Sequence, residues 1–173
     1  MSWRAGIHGY AARWGVVTAP LSRPQAPHLS RPARFERGCF TFDASSVEMW
    51  FMHRDAQSFG RGDALGLQIW EDSYGLAFAF TPPSFAYSMV CGVADGRYAQ
   101  CSVGVVIESS SIEPDGSGVE AISSARLNEI SICPRGACPG TACWHAANVP
   151  YGLPAHAQAV LPIWMHGWTG VAA

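Results

Sequence analysis

Lysine is missing from this chain: all 11 basic side chains among its 173 residues are arginine. That absence reads as the codon composition of a GC-rich genome and decides nothing about mechanism. Charge of either sign is scarce, with charged residues at 14% and a formal net charge of −2. Neutralising a phosphate backbone needs clustered positive charge, so this composition argues against a general nucleic-acid binder. No apolar run approaches the roughly 20 residues that span a bilayer. Arg4, His8 and Arg13 break up what would be the apolar centre of an export signal. The expectation is a soluble protein of the cytoplasm with no membrane and no nucleic acid among its partners. What is present is apolar: 49% of the chain is hydrophobic, a globular composition rather than a disordered one. The length suits one domain with a proper core.

The six cysteines divide into two groups. Cys39, Cys91 and Cys101 are scattered and read as small buried apolar residues. Cys133, Cys138 and Cys143 are evenly spaced with His145 close behind, a set that could hold a zinc ion. The spacing C-x4-C-x4-C-x-H is not one of the usual paired-knuckle patterns, so a zinc-binding module stands as a lesser alternative and no metal or cofactor is assigned. Without an export signal, disulfides are not the default.

Along the chain there are no internal repeats. Residues 6–17 suit a strand with a glycine kink. Residues 18–34 hold Pro20, Pro24, Pro27 and Pro32, a density that neither a central strand nor a helix interior accepts, so they read as a surface loop. Val47 to His53 is β-prone. Leu65, Leu67 and Ile69 alternate, then Leu76, Phe78 and Phe80, around an acidic turn at 71–75: a β-hairpin. Phe85, Met89 and Val93 fall at i, i+4, i+8 and predict a helix over 84–95, capped by Thr81 and ended by Gly96. Strands follow at 98–107 and 126–132, separated by a polar loop at 108–118, and a short helix is expected near 155–160. Many short strands with one clear helix predict a mainly β fold with flanking helices (α+β), an antiparallel barrel or sandwich.

A nucleophilic hydrolase needs a hydroxyl, a base that takes its proton and a group that orients the base. Three residues on predicted strands qualify. His53 closes the VEMWFMH strand. On the Ser102 strand, Cys101, Val103, Val105 and Ile107 share one face by period two, while Ser102 and Gly104 share the other. With the apolar face in the core, Ser102 points away from it. Gly104 on the same face removes bulk and would let a peptide backbone approach. On the next strand Ile130 and Ile132 form an apolar face, and Glu129 lies opposite with Leu127 and Ser131. Each residue also has an ordinary reading: a small strand residue, a solvated histidine, and a carboxylate paired with an arginine such as Arg126.

Ordered segments carry a resemblance that extends from about Gly6 to Ala142. They are GYAARWGV, ERGCF (36–40), VEMWFMHRD, LGLQIWEDSYGLAFAF, DGRYAQCSVGVVI and ARLNEISICPRGA. In this order they resemble the prohead (capsid maturation) serine proteases of tailed phages, whose fold is similar to the herpesvirus assemblin proteases. Three departures stand out. Val105 replaces the usual Phe after Ser-x-Gly, Met52 replaces the usual Asn before the His, and two residues are inserted within Pro134-Arg135-Gly136-Ala137.

The resemblance implies a barrel-like core and a serine endopeptidase with Ser102 as nucleophile, His53 as base and Glu129 as the acid that orients it. Oxyanion donors are expected from main-chain N–H groups near the Ser102 strand or the Pro134 loop, with Arg135 an additional candidate. His8, His28, His145, His156 and His166 match no catalytic motif. The implied substrates are the scaffolding region of the major capsid protein and the protease itself, cut inside the assembling prohead in the host cytoplasm. The herpesvirus relatives work as dimers, so a homodimer is an expectation for which the sequence shows no interface signature. Residues 1–144 would form the protease domain, with 18–34 as its Pro-rich loop, and 145–173 a tail that matches nothing in the family. A catalytically inactive assembly protein of the same fold is the alternative reading.

Overall fold

The computed structural model describes residues 6–22 and 27–145. In chain order the elements are β1 (Ile7–Arg13), β2 (Ala33–Phe35), β3 (Phe40–Thr41), β4 (Glu48–Phe51), β5 (Arg54–Arg61), α1 (Gly62–Leu65), β6 (Gln68–Glu71) and β7 (Gly75–Phe80). They continue with α2 (Tyr87–Ala94, entered through a 3-10 turn at Ser84–Ala86), β8 (Gln100–Ile112), β9 (Glu120–Cys133) and β10 (Ala142–His145). The helix expected near 155–160 and the tail from 146 lie outside the described residues.

The strands form two sheets. One has the order β10-β1-β7-β6, antiparallel throughout. The other is organised on β9. Along one edge β9 pairs antiparallel with β8 over almost the whole length of both. Along the other edge β2, β3 and β4 line up in succession, all parallel to β9, and β5 adds antiparallel to β4. The fold is therefore mainly β, as expected, but the strand order traces two sheets rather than a closed barrel, and the second sheet is mixed rather than antiparallel. A hairpin obliges β8 and β9 to run in opposite senses. The three short strands come from the first half of the chain and are under no such obligation. The inner faces of the two sheets share one core: Ile7, Leu76 and Phe78 from the first sheet, Met49, Ile122, Ile130 and Ile132 from the second, and Met89 and Val93 from α2, all buried.

Several local expectations shift. The alternating run at 65–69 does not start as a strand. Gly62–Leu65 is a helical turn ended by Gly66 in the left-handed region, and the strand begins only at Gln68. Gly62 itself is required there, because a Cβ would collide with the Ala44 carbonyl oxygen. The helix forms, but its buried side is Ala86, Met89 and Val93, while Phe85 is exposed. The 3-10 turn advances the helical phase and turns Phe85 out. No side-chain cap bond forms at its start. β5 and β10 go unforeseen: β5 is exposed along most of its length, so it carries no apolar alternation.

The largest correction concerns β9. Residue pairing steps from Gly104↔Glu129 to Val105↔Leu127, so Asn128 is an extra residue, a β-bulge. A bulge reverses which parity faces the core. Ala125 and Leu127 point inward before it, Ile130 and Ile132 after it. Leu127 thus belongs to the core and not to the Glu129 face. The bulge predicts that Leu127→Ala and Ile130→Ala, which have opposite parity, each lower unfolding free energy by about 2–5 kcal/mol. Asn128→Ala, exposed between them, should cost under about 0.5 kcal/mol. Urea denaturation of the three variants measures this, and a small loss at Leu127 would contradict the bulge.

Candidate active site

Cross-strand partners share a face, so the register fixes what surrounds Ser102. Ser102 lies directly opposite Ser131, and Gly104 opposite Glu129. All four are on the face turned away from Ile130 and Ile132. In antiparallel pairing, opposed Cα atoms are about 4.5–5.5 Å apart, which sets Ser102 beside Ser131. On the far edge of β9, β4 ends at Phe51 opposite Ile132. The chain then turns sharply, with Met52 and His53 both in the left-handed region at φ 57° and 56°. His53 therefore does not end a strand; it belongs to a tight turn that brings its ring to Glu129.

His53 Nδ1 lies 2.6 Å from Glu129 Oε1. With Nδ1–H donating to the carboxylate, Nε2 remains available to accept a proton. The His53 pKa is raised above its ordinary value: the hydrogen bond to Glu129 raises it most, partial burial works against this, and the charge of Glu129 adds to the rise. Glu129 Oε2 accepts a hydrogen bond from the Ser131 hydroxyl at 2.8 Å. Ser131 Oγ in turn accepts the His53 main-chain N–H at 3.0 Å. Glu48, the neighbouring carboxylate on β4, is engaged elsewhere, accepting from Trp50 Nε1 at 2.7 Å and Ser58 Oγ at 3.1 Å.

The three sequence candidates thus converge on β9. His53 and Glu129 are in contact, and Ser102 sits on the adjacent strand on the same face. Among the described residues no hydrogen bond joins the Ser102 hydroxyl to the His53 ring. Ser102 is also less open than strand alternation suggests: it leaves the core face but is only 7% exposed, whereas the His53 side chain is 45% exposed.

Gly104 has a different purpose from the one expected. A Cβ there would stand 2.5 Å from Glu129 Oε1 and 2.7 Å from its Cγ. The missing side chain makes room for the carboxylate that meets His53, not for a peptide backbone. Ser131 was visible on this face, but only its two hydrogen bonds reveal what it does. Its i, i+2 spacing from Glu129 within a strand was the available signal. The Pro134 loop lies close to the site: a Cβ on Gly136 would run into the Cys101 carbonyl oxygen, and Gly136 N–H donates to Gln100 Oε1 at 2.8 Å.

The cysteine-histidine set does not assemble as ligands. Cys138 Sγ accepts the Arg13 N–H at 3.4 Å, and Cys143 Sγ donates to the Tyr98 carbonyl at 3.0 Å. Burial pushes the Cys133 thiol up to about 11 and raises Cys138. All six thiols are free, and among the described residues no group of three or more His, Cys, Asp or Glu could hold a metal ion. His8 lies in the other sheet, buried on β1, its pKa lowered to about 4 by burial and then by His145.

A family model for the caudovirus prohead serine protease matches residues 3–149. No curated protein matches the chain.

Two substitutions test this geometry. Gly104→Ala should displace the Glu129 carboxylate, so that the His53 pKa, followed by NMR titration, falls back toward about 6.5. An unchanged pKa would contradict the close approach. Met52 occupies a left-handed position that suits asparagine better than methionine, and the residue is 39% exposed. Met52→Asn is therefore expected to raise unfolding free energy by up to about 1 kcal/mol in denaturant melts.

Proposed function

The chain belongs to the caudovirus prohead serine protease family, and from this premise we propose that it is a serine endopeptidase with Ser102 as nucleophile, His53 as general base and Glu129 as the group that orients the base. The observation that carries this reading is the 2.6 Å contact between His53 Nδ1 and Glu129 Oε1, on the face that also holds Ser102. A carboxylate on Nδ1 selects the tautomer whose Nε2 is a free acceptor. Ser102 Oγ attacks the scissile carbonyl carbon while its proton passes to His53 Nε2. The tetrahedral intermediate collapses to an acyl-enzyme ester, and the leaving amine takes the proton from His53. Water, deprotonated by the same nitrogen, then releases the acid and restores Ser102.

The developing oxyanion needs donors placed near the attacked carbon. Main-chain N–H groups beside the Ser102 strand or in the Pro134 loop are the proposed source, since Gly136 packs against the carbonyl of Cys101, the residue before the nucleophile. The Gly136 N–H is not itself among them, because Gln100 Oε1 already accepts it. The proposed substrates are the scaffolding region of the major capsid protein and the chain itself, processed inside the assembling prohead in the host cell. A homodimer belongs to the same proposal. The match ending at residue 149 supports a protease domain close to 1–144. The part of the 18–34 loop ahead of β2, whose first residues Ala33 and Arg34 pair with β9, and the segment 145–173 would then be the candidates for self-cleavage. Among the described residues no helix is long and apolar enough to cross a membrane.

Co-expression with the capsid protein tests the assignment. Ser102→Ala should leave both the capsid protein and the protease uncut, and unchanged processing would defeat the reading. Neutral His53 is the competent form, so kcat/KM rises as pH passes upward through its pKa. Because Glu129 raises that pKa, the acid limb should lie above about 6.5. Glu129→Gln should move the limb to lower pH while reducing kcat by about 10²- to 10⁴-fold; a limb that stays in place would remove Glu129 from its role.

A further inference from the structure

We propose that Ser131 is the positioning residue of this site: one hydroxyl grips the main chain of the base and the carboxylate of the orienting acid together. The proposal rests on the peptidase reading above and extends it to a residue outside the Ser102, His53 and Glu129 set. Ser131 is completely buried on β9. A serine hydroxyl has one proton to donate and can accept as well. Here the proton goes to Glu129 Oε2 at 2.8 Å, and the oxygen accepts the His53 N–H at 3.0 Å. Both directions follow from the partners: the amide N–H can only donate, and the carboxylate oxygen accepts.

The result is a closed circuit. From Ser131 Oγ it passes through the Glu129 carboxylate to the His53 ring, back along the His53 side chain to its N–H, and returns to Ser131. Each Glu129 oxygen has its own donor, which stops the carboxylate from rotating. The His53 backbone, held in a left-handed conformation that non-glycine residues avoid, is anchored at its amide. Ring and main chain of the base are thus fixed to one point, and that point lies directly across the ladder from Ser102. Small displacements of a catalytic group cost large factors in rate, on the order of 10²-fold for about 1 Å. A buried hydroxyl with only a structural duty would affect folding and nothing else.

The test is Ser131→Ala in the full chain, read in two ways. By ¹⁵N NMR of the imidazole, wild-type His53 should hold a single Nδ1–H tautomer with a raised pKa. Ser131→Ala should give mixed tautomers and a pKa moved back toward the ordinary value. In kinetics, on a peptide spanning the mapped capsid-protein junction, kcat should fall about 10- to 100-fold with KM nearly unchanged. A folded Ser131→Ala protein with unaltered His53 tautomer and pKa overturns the proposal, as does a loss confined to KM. If Ser131→Ala does not fold, Ser131→Cys, which keeps the shape but donates weakly, decides by the same NMR criteria. The NMR readout does not depend on turnover, so a failure of the peptidase reading, seen as capsid-protein processing that ignores Ser102→Ala, is separable from a failure of the Ser131 circuit.

Discussion

Everything at the candidate site depends on β9 being hydrogen-bonded along both edges. The antiparallel partner β8 delivers Ser102 opposite Ser131 and Gly104 opposite Glu129. The parallel partner β4 delivers the chain to the turn that carries His53. Both neighbours take their position from β9. The two groups that would exchange a proton thus come from opposite sides of one strand, and only that strand's register relates them. The Asn128 bulge makes this register compatible with a core on the opposite face. It lets Leu127 and Ile130 both point inward while Glu129 and Ser131 point to the site.

The turn at Met52 and His53 shows what this arrangement costs. Two successive non-glycine residues in the left-handed region carry roughly 1–2 kcal/mol each. Against this stand two main-chain hydrogen bonds to β9, from Met52 N–H to the Ile132 carbonyl and from His53 N–H to Ser131 Oγ, each at 3.0 Å. Bonds of this kind contribute about 0.5–1.5 kcal/mol net apiece. The contact with Glu129 adds a charge-assisted bond of about 1.5–3 kcal/mol, discounted because the ring is half exposed. The two sides are of similar size. The turn persists because β9 holds it at three points, and all three lie within the four residues Glu129 to Ile132.

Strand alternation was enough to orient Ser102, since Cys101 and Val103 define the core face of β8 without ambiguity. It was enough for Ile130 and Ile132 as well. It failed at Leu127 because a bulge changes parity without leaving a residue type that announces it; Asn128 is an ordinary exposed side chain. It failed for β5, whose residues are held by pairing to β4 rather than by burial, so no period exists to be read. The pairing of His53 with Glu129, 76 residues apart, has no local signal either. Ordered resemblance proposed it, and the parallel register of β4 on β9 makes it physically possible. Gly104 shows the subtler limit: its lack of a side chain was legible, but what fills the space comes from the neighbouring strand.

Burial grades across the site in a way that suits acid–base chemistry. Glu129 is 4% exposed and Ser102 7%, while the His53 side chain is 45% exposed. The carboxylate faces the imidazole from the dry side, where its field is least screened. Removing either of its donors would leave part of a buried charge unpaired, so the geometry is costly to disturb. The imidazole, with Nδ1 turned to Glu129, belongs to a side chain that is nearly half exposed. One residue therefore connects a nearly water-free carboxylate to a partly solvated ring. The raised His53 pKa is the electrostatic result of that connection, and it joins the depth of Glu129 in the sheet to the basicity on which the proposed role of His53 draws.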